Sequence, residues 1–266
     1  MTPAAASIGS PAPVVLPPRI ARAHRDRVAA RAAETRIRKA TDRYAVLLRK
    51  IARHIDDIVK GFDATTPRGR TEIEEHLSRY GATLHRWSAS TAEGMLARID
   101  EADRNRWRRL ATEIGRGIER ELQGATVAPA MEQLKADQVR LITSLSTEAA
   151  ERVAELSRQA LTTGERADAL ARRIYETGAV SRSRATLIAR SETSRAATVL
   201  QATRAQAVGS PGYVWETARD RDVRPSHRAM QGRFVAWDEP PTVDGLVGHA
   251  GALPNCRCYC RAVLPD

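Results

Sequence analysis

From about Arg19 to about Val208 the apolar residues recur at helical spacing, and this periodicity constrains the fold more than any other feature. Tyr44, Leu47, Leu48, Ile51, Ile55, Ile58 and Val59 fall at steps of 0, 3, 4, 7, 11, 14 and 15, one face of a helix with a 3.6-residue period. That helix ends near Gly61. Thr66-Pro67 reads as an N-cap with proline at the first helical position, and Thr71 with Glu74 as a capping box one turn later. The next stripe runs Leu77, Tyr80, Leu84, Trp87, Thr91 and Met95, and another runs Trp107, Leu110, Ile114, Ile118 and Leu122 up to Gly124. Pro129 opens a further helix with Leu134, Leu141, Leu145, Leu156 and Leu161 as its main apolar positions. Thr162-Thr163-Gly164-Glu165 predicts a capping box and a short helix ending at Gly178, after which Ser181 or Ser183 starts the last long helix.

The stripes are narrow and interrupted by Ala, Ser and Thr. The chain is 42% hydrophobic but only 4% aromatic, which suits thin helical layers better than a β-sandwich or a thick-cored α/β enzyme. Elongated antiparallel helices are expected. Beyond Gly209-Ser210-Pro211-Gly212, a strong turn signal, the pattern changes. Tyr213 to Thr217 and Phe234 to Trp237 read as strands, and the alternation from Cys256 to Val263 as a third. The expected fold is mainly α with a small C-terminal α+β module, a short-stranded cap. Three segments follow: a Pro/Ala-rich disordered leader over 1–18, a helical region over 19–162 and a terminal module over 163–266. The leader has neither a basic start nor an unbroken apolar run, so it does not read as a secretory signal. No run of about 18 apolar residues is present, which excludes a membrane-spanning helix.

The net charge of +11 is unevenly placed. Residues 1–60 carry 13 basic and five acidic side chains, whereas residues 209–266 carry seven of each. A basic helical arm therefore precedes a neutral module. Of the 43 basic residues 39 are Arg, a skew that codon bias alone also produces. The three cysteines lie within five residues, too close for a disulfide framework, and point to a reducing compartment.

Three constellations carry possible chemistry. Glu192 interrupts the apolar stripe Ala185, Ile188, Ala189, Ala196, Val199, Leu200 and Thr203, with Arg195 one turn away and Arg190 on another face. A carboxylate there must be paired. It is an ionic clasp to the terminal module on one reading and a general acid/base on the other. Asp220 to His227 reads as a turn entering a short helix, with Asp222 as N-cap and His227 on the helix. Cys256, Cys258 and Cys260 fall on one face of an alternating strand. Together with His227 and His249, Cys256 and Cys258 offer enough soft donors for a zinc site. The C-x-C spacing is poor for chelation, so small buried thiols filling a cramped core are the competing reading. No complete catalytic set is apparent, and no cofactor other than zinc is suggested.

The ordered set Ile188-Ala-Arg-Ser-Glu192 with Arg195, then Trp215-x-Thr217, Asp220 to His227 including Arg224, Gly232, and Pro254-Asn255-Cys256-Arg-Cys258 resembles the Mu F-like phage minor head proteins, the phage head morphogenesis family. The resemblance covers about residues 165–265. Two positions depart from it: Pro225-Ser-His227 stands where many members have Cys-x-x-Cys, and Leu253 stands where many have His, with His249 four residues earlier. The resemblance implies a non-enzymatic minor protein of the virion head. It would be made in the host cytoplasm and associated with portal, major capsid or scaffold proteins. The basic N-terminal helices would add sequence-independent contact with packaged DNA. A metal-dependent nucleic-acid-binding protein or nuclease, built from Glu192, Asp220, Asp222 and His227, is the alternative. No membrane partner is expected.

Overall fold

The computed structural model describes residues 26–114 and 127–264. The leader over 1–18 and the expected stripe positions Ile118 and Leu122 lie outside the described residues, as does Gly124. Helix α1 spans Asp26–Lys60, α2 Pro67–Thr83, α3 His85–Ile114, α4 Ala128–Thr163, α5 Ala167–Tyr175 and α6 Thr177–Ala207. The cap follows: β1 Gly212–Glu216, α7 Pro225–Ala229, β2 Phe234–Ala236, β3 Thr242–Val243, β4 Leu246–Val247 and β5 Tyr259–Val263. The chain is thus mainly α with a small C-terminal α+β module, and no described helix is long and apolar enough to cross a membrane.

The stripes meet as their spacing dictates. Leu48, Ile51, Ile55 and Val59 of α1 are buried with Ile73 and Leu77 of α2, Leu96 and Ile99 of α3, Leu134 and Ile142 of α4, and Ala185, Ala189 and Leu200 of α6. Helix α1 packs along α6 and α2 along α4. Alanines on the α6 face let the backbones approach closely. At Gly178 an added Cβ would lie 2.0 Å from Asp56 Oδ1 of α1.

Several boundaries differ from the sequence expectation. Thr66 caps α2 as predicted, its Oγ1 accepting from Gly69 N at 3.0 Å. Thr71 does not open a second box; its hydroxyl donates back to Pro67 O inside the helix. The Leu77–Met95 stripe is cut at Leu84, which lies between α2 and α3. Thr162 and Thr163 finish α4 instead of starting α5. Gly164 supplies the left-handed C-cap (φ 67°), and no side chain caps α5. Leu161 accordingly points outward, 83% exposed. Gly178 sits in the first turn of α6, which starts at Thr177, four to six residues before the expected Ser181 or Ser183.

A second core, under the cap, contains Trp107 and Leu110 of α3, Ala205 of α6, Tyr213 and Trp215 of β1, Val235, Trp237 and the three cysteines. The sheet order is β2-β1-β5, antiparallel throughout, with Trp215 opposite Cys260 and Tyr213 opposite Ala262. Only Tyr259–Val263 of the expected third strand is extended ladder. Cys256 and Cys258 precede it in a loop that turns at Asn255 (φ 54°).

Candidate functional site

The cap carries the residues that the sequence singled out, and His227 is at their centre. Helix α7 begins at Pro225 and holds His227 against the edge of Trp215, ring centroids 5.8 Å apart. Asp222 does not cap this helix. It pairs instead with Arg257 at 3.4 Å, as Asp220 does at 2.9 Å, and this ties the α7 approach to the cysteine loop. His227 is 2% exposed. Its Nδ1 lies 3.3 Å from Cys256 Sγ and 3.5 Å from Cys258 Sγ. On its other side Arg224 donates to Nε2 at 2.7 Å, and Asp244 Oδ2 lies 3.5 Å from the same nitrogen. Asp244 also pairs with Arg224 at 3.3 Å.

Local sequence explains this convergence. Asp244-Gly245 forms the two-residue turn between β3 and β4, with φ of 55° and 75°, the left-handed pair that such hairpins need. Gly232 (φ 79°) turns the chain out of α7, and its N–H donates to Trp215 O at 2.8 Å. Pro254 O accepts from Arg224, and Asn255 N donates to Ser191 Oγ of α6. Cys258 N donates to Cys256 Sγ at 3.4 Å. The Cys258 thiol, joined by backbone N–H groups, holds Cys256 well below the ordinary thiol range against the effect of burial. Cys258 itself is pushed up, chiefly because it is the donor to Cys256, and burial adds to this. The indole N–H of Trp215, buried without a conventional acceptor, favours negative charge on Cys258.

One zinc candidate parts company here. His249 is not with the cysteines: its Nδ1 lies 3.2 Å from Tyr213 Oη, and its ring packs edge-on against Tyr213 and Trp237. The aromatic side of the cap claims it. Cys260 likewise faces Ala250 O, at 3.6 Å, and burial pushes its thiol up. Among the described residues the His/Cys/Asp/Glu group with metal-ligating geometry is His227, Cys256 and Cys258, its donor atoms all within 4.8 Å of one another.

Glu192 is paired, but with the helices and not with the cap. Gln138 Nε2 donates to its Oε2 at 2.7 Å and Arg195 Nε at 2.9 Å, while Arg195 reaches Asp137 at 2.9 Å. Tyr44 Oη donates to Gln138 Oε1 at 2.8 Å, so α1, α4 and α6 share one network. The expected clasp to the terminal module is therefore a clasp inside the bundle, because α6 turns this face toward α4. Arg190 is exposed and lines a groove of about 440 Å³ with Arg38, Asp222 and Arg257. Of the carboxylates proposed for a nuclease centre, Asp220 and Asp222 share Arg257, whereas Glu192 is held by Gln138 and Arg195.

The contacts that do bind the cap to the bundle include several that the sequence stripes did not identify. Within the bundle itself, Arg204 of α6 pairs with Asp100 and Asp103 of α3, all three buried. Arg106 and Gln201 both donate to Cys260 O, at 3.1 and 2.8 Å. Thr198 Oγ1 donates to Ala250 O at 2.6 Å. Within the sheet, buried Glu216 accepts from Gln231 and Arg261, which outweigh burial and hold its carboxyl below the usual range. The available signals were Asp100-x-x-Asp103 on one helical face and the polar residues inside the α6 stripe.

A helical bundle closed by a small, clasped α+β cap is the class that fold and site define. Residues 151–261 match the profile of the family described as "Phage Mu protein F like protein", which agrees with the resemblance carried by the signature residues. A Haemophilus influenzae protein described as "Uncharacterized protein" is 26% identical over 216 residues, 79% of this chain. The chain spans 46% of the length of that relative. No solved structure matches.

Proposed function

We propose that this chain is a minor structural protein of a phage or prophage head that acts in procapsid assembly near the portal. The match of residues 151–261 to the Mu F-like family carries this reading. Its partners are portal, major capsid or scaffold proteins, its place is the virion head, and assembly proceeds in the host cytoplasm. The signature residues Trp215, Asp220, Arg224, His227, Gly232, Pro254, Asn255, Cys256 and Cys258 shape the cap, and none is assigned a catalytic role.

Contact with packaged DNA belongs to α1. Arg36, Lys39, Arg43, Lys50 and Arg53 are exposed at steps of 0, 3, 7, 14 and 17, which is a single face of the helix. Such a row suits phosphate neutralisation without base reading. Deleting the gene from a phage or inducible prophage that carries it tests the assembly role. Lysates are expected to hold few infectious, DNA-filled heads. A normal yield of filled, infectious particles would overturn the reading.

A further inference from the structure

We propose that His227, Cys256 and Cys258 bind one zinc ion, with water from the adjoining cavity as the fourth ligand, and that this ion staples α7 to the loop before β5. The donor spacing carries the argument. Ligand atoms on a zinc tetrahedron lie about 3.5–3.8 Å apart, given bonds of about 2.3 Å to sulfur and 2.0–2.1 Å to nitrogen. His227 Nδ1 stands 3.3 and 3.5 Å from the two sulfurs. An imidazole nitrogen has one in-plane bonding direction, whether it donates or accepts, yet here two sulfurs converge on it. A shared cation accounts for both.

The surroundings fit as well. Ligation through Nδ1 moves the ring proton to Nε2, which then donates to Asp244 Oδ2; the Arg224 N–H that meets Nε2 here turns aside while Arg224 keeps its pairing with Asp244. This is the carboxylate–histidine–metal arrangement that fixes a ligand ring. Cys258 N already donates to Cys256 Sγ, and the Trp215 indole N–H is buried with no conventional acceptor beside the site. A cavity of about 80 Å³, lined by the three ligands together with Asp222, Asn255 and Arg257, adjoins the open side and holds the water. The donor set, two thiolates and an imidazole, selects a borderline-soft ion of tetrahedral preference over magnesium or calcium.

The test is metal analysis of the full chain, purified without chelator, equilibrated with zinc sulfate and desalted. Wild type and Cys260→Ser are expected to retain about one zinc per chain, and Cys256→Ser/Cys258→Ser less than about 0.2. Asp244→Asn should weaken zinc binding about 10–100-fold. Cobalt(II) titration of the wild type keeps the test independent of any variant that fails to fold: an intense tetrahedral visible spectrum with a thiolate charge-transfer band should saturate at one equivalent. Wild type retaining under about 0.2 zinc, or a cobalt spectrum without thiolate bands, would leave a hydrogen-bonded thiol cluster and overturn the proposal. Loss of metal from Cys260→Ser as complete as from the double variant would overturn the ligand assignment.

Discussion

Arg204 lies on the buried side of α6 with Leu200, Gln201 and Ala205, and Asp100 and Asp103 reach it from the neighbouring helix α3. Burial pushes Asp103 above the usual carboxylate range even with the guanidinium beside it. Removing the cation alone would strand both acids, so Arg204→Leu is expected to cost about 3–5 kcal/mol in urea unfolding. Replacing all three residues by apolar side chains of similar volume should recover most of that loss. Glu34 is a different case. It is partly buried near Arg38, Arg106 and Arg257, and burial pushes it up to about 7, against the opposing pull of these cations. Between its ordinary 4.5 and about 7, the folded chain holds a proton that the unfolded chain has released. Stability from this group is therefore highest below the window and falls as pH rises through it. Glu34→Gln should stabilise the protein by about 1–2 kcal/mol at pH 8, with solvent access limiting the gain, and by nothing measurable at pH 4. Paired unfolding curves at the two pH values check it, and equal gains at both would refute the protonation argument.

Helices, more than single side chains, were legible in the amino-acid pattern. The face Tyr44 to Val59 is all apolar at helical steps, and each of Tyr44, Leu48, Ile51, Ile55 and Val59 is buried. Helix ends were less legible, because the signals that mark them are short and reused. The Thr162-Thr163-Gly164 stretch reads equally as a start or a stop, and the left-handed Gly164 decides for a stop. The break at Leu84 has no Pro or Gly at the position itself; the stripe simply changes partners there. At the cap, the residues were legible and their assembly was not. Alternation places three cysteines on one face, but the turn at Asn255 sends Cys256 and Cys258 to His227 while Cys260 enters the sheet. Asp244 reaches the site through the hairpin turn Asp244-Gly245, a contact across 17 residues of chain that no local period encodes. Gly178 shows what close helix packing demands. An added Cβ would meet the Asp56 Cβ at 2.5 Å, so Gly178→Ala should cost about 1–3 kcal/mol by forcing α1 and α6 apart. Gly94, whose added Cβ meets only the exposed Arg98 guanidinium at 3.5 Å, provides the control. Gly94→Ala should gain about 0.5–1 kcal/mol from helix propensity alone. Thermal unfolding of the two variants separates packing from propensity.

At the level of the whole molecule, the basic arm and the clasped cap are parts of one packed body, since α1 lies along α6 and α6 runs into the cap core. Net charge of +11 by itself suggests only general affinity for polyanions. The arrangement is more specific. The cations of α1 are directed away from the bundle, while the acids and Arg residues of the cap are largely spent on each other, as in Glu216 with Arg261 and Asp220 with Arg257. Five cations on one face of a helix would displace about five counterions from duplex DNA, giving a slope of about −4.5 in log K against log salt. Arg36→Glu/Lys39→Glu/Arg43→Glu removes three of them and should flatten the slope by about 3 while leaving thermal stability near wild type, because all three side chains are exposed. Equivalent reversals on the cap, at Arg219 and Arg228, should leave the slope unchanged. Fluorescence anisotropy with two duplexes of unrelated sequence, measured across a salt series, distinguishes the outcomes. A slope insensitive to the α1 reversals would exclude this helix as the proposed DNA contact.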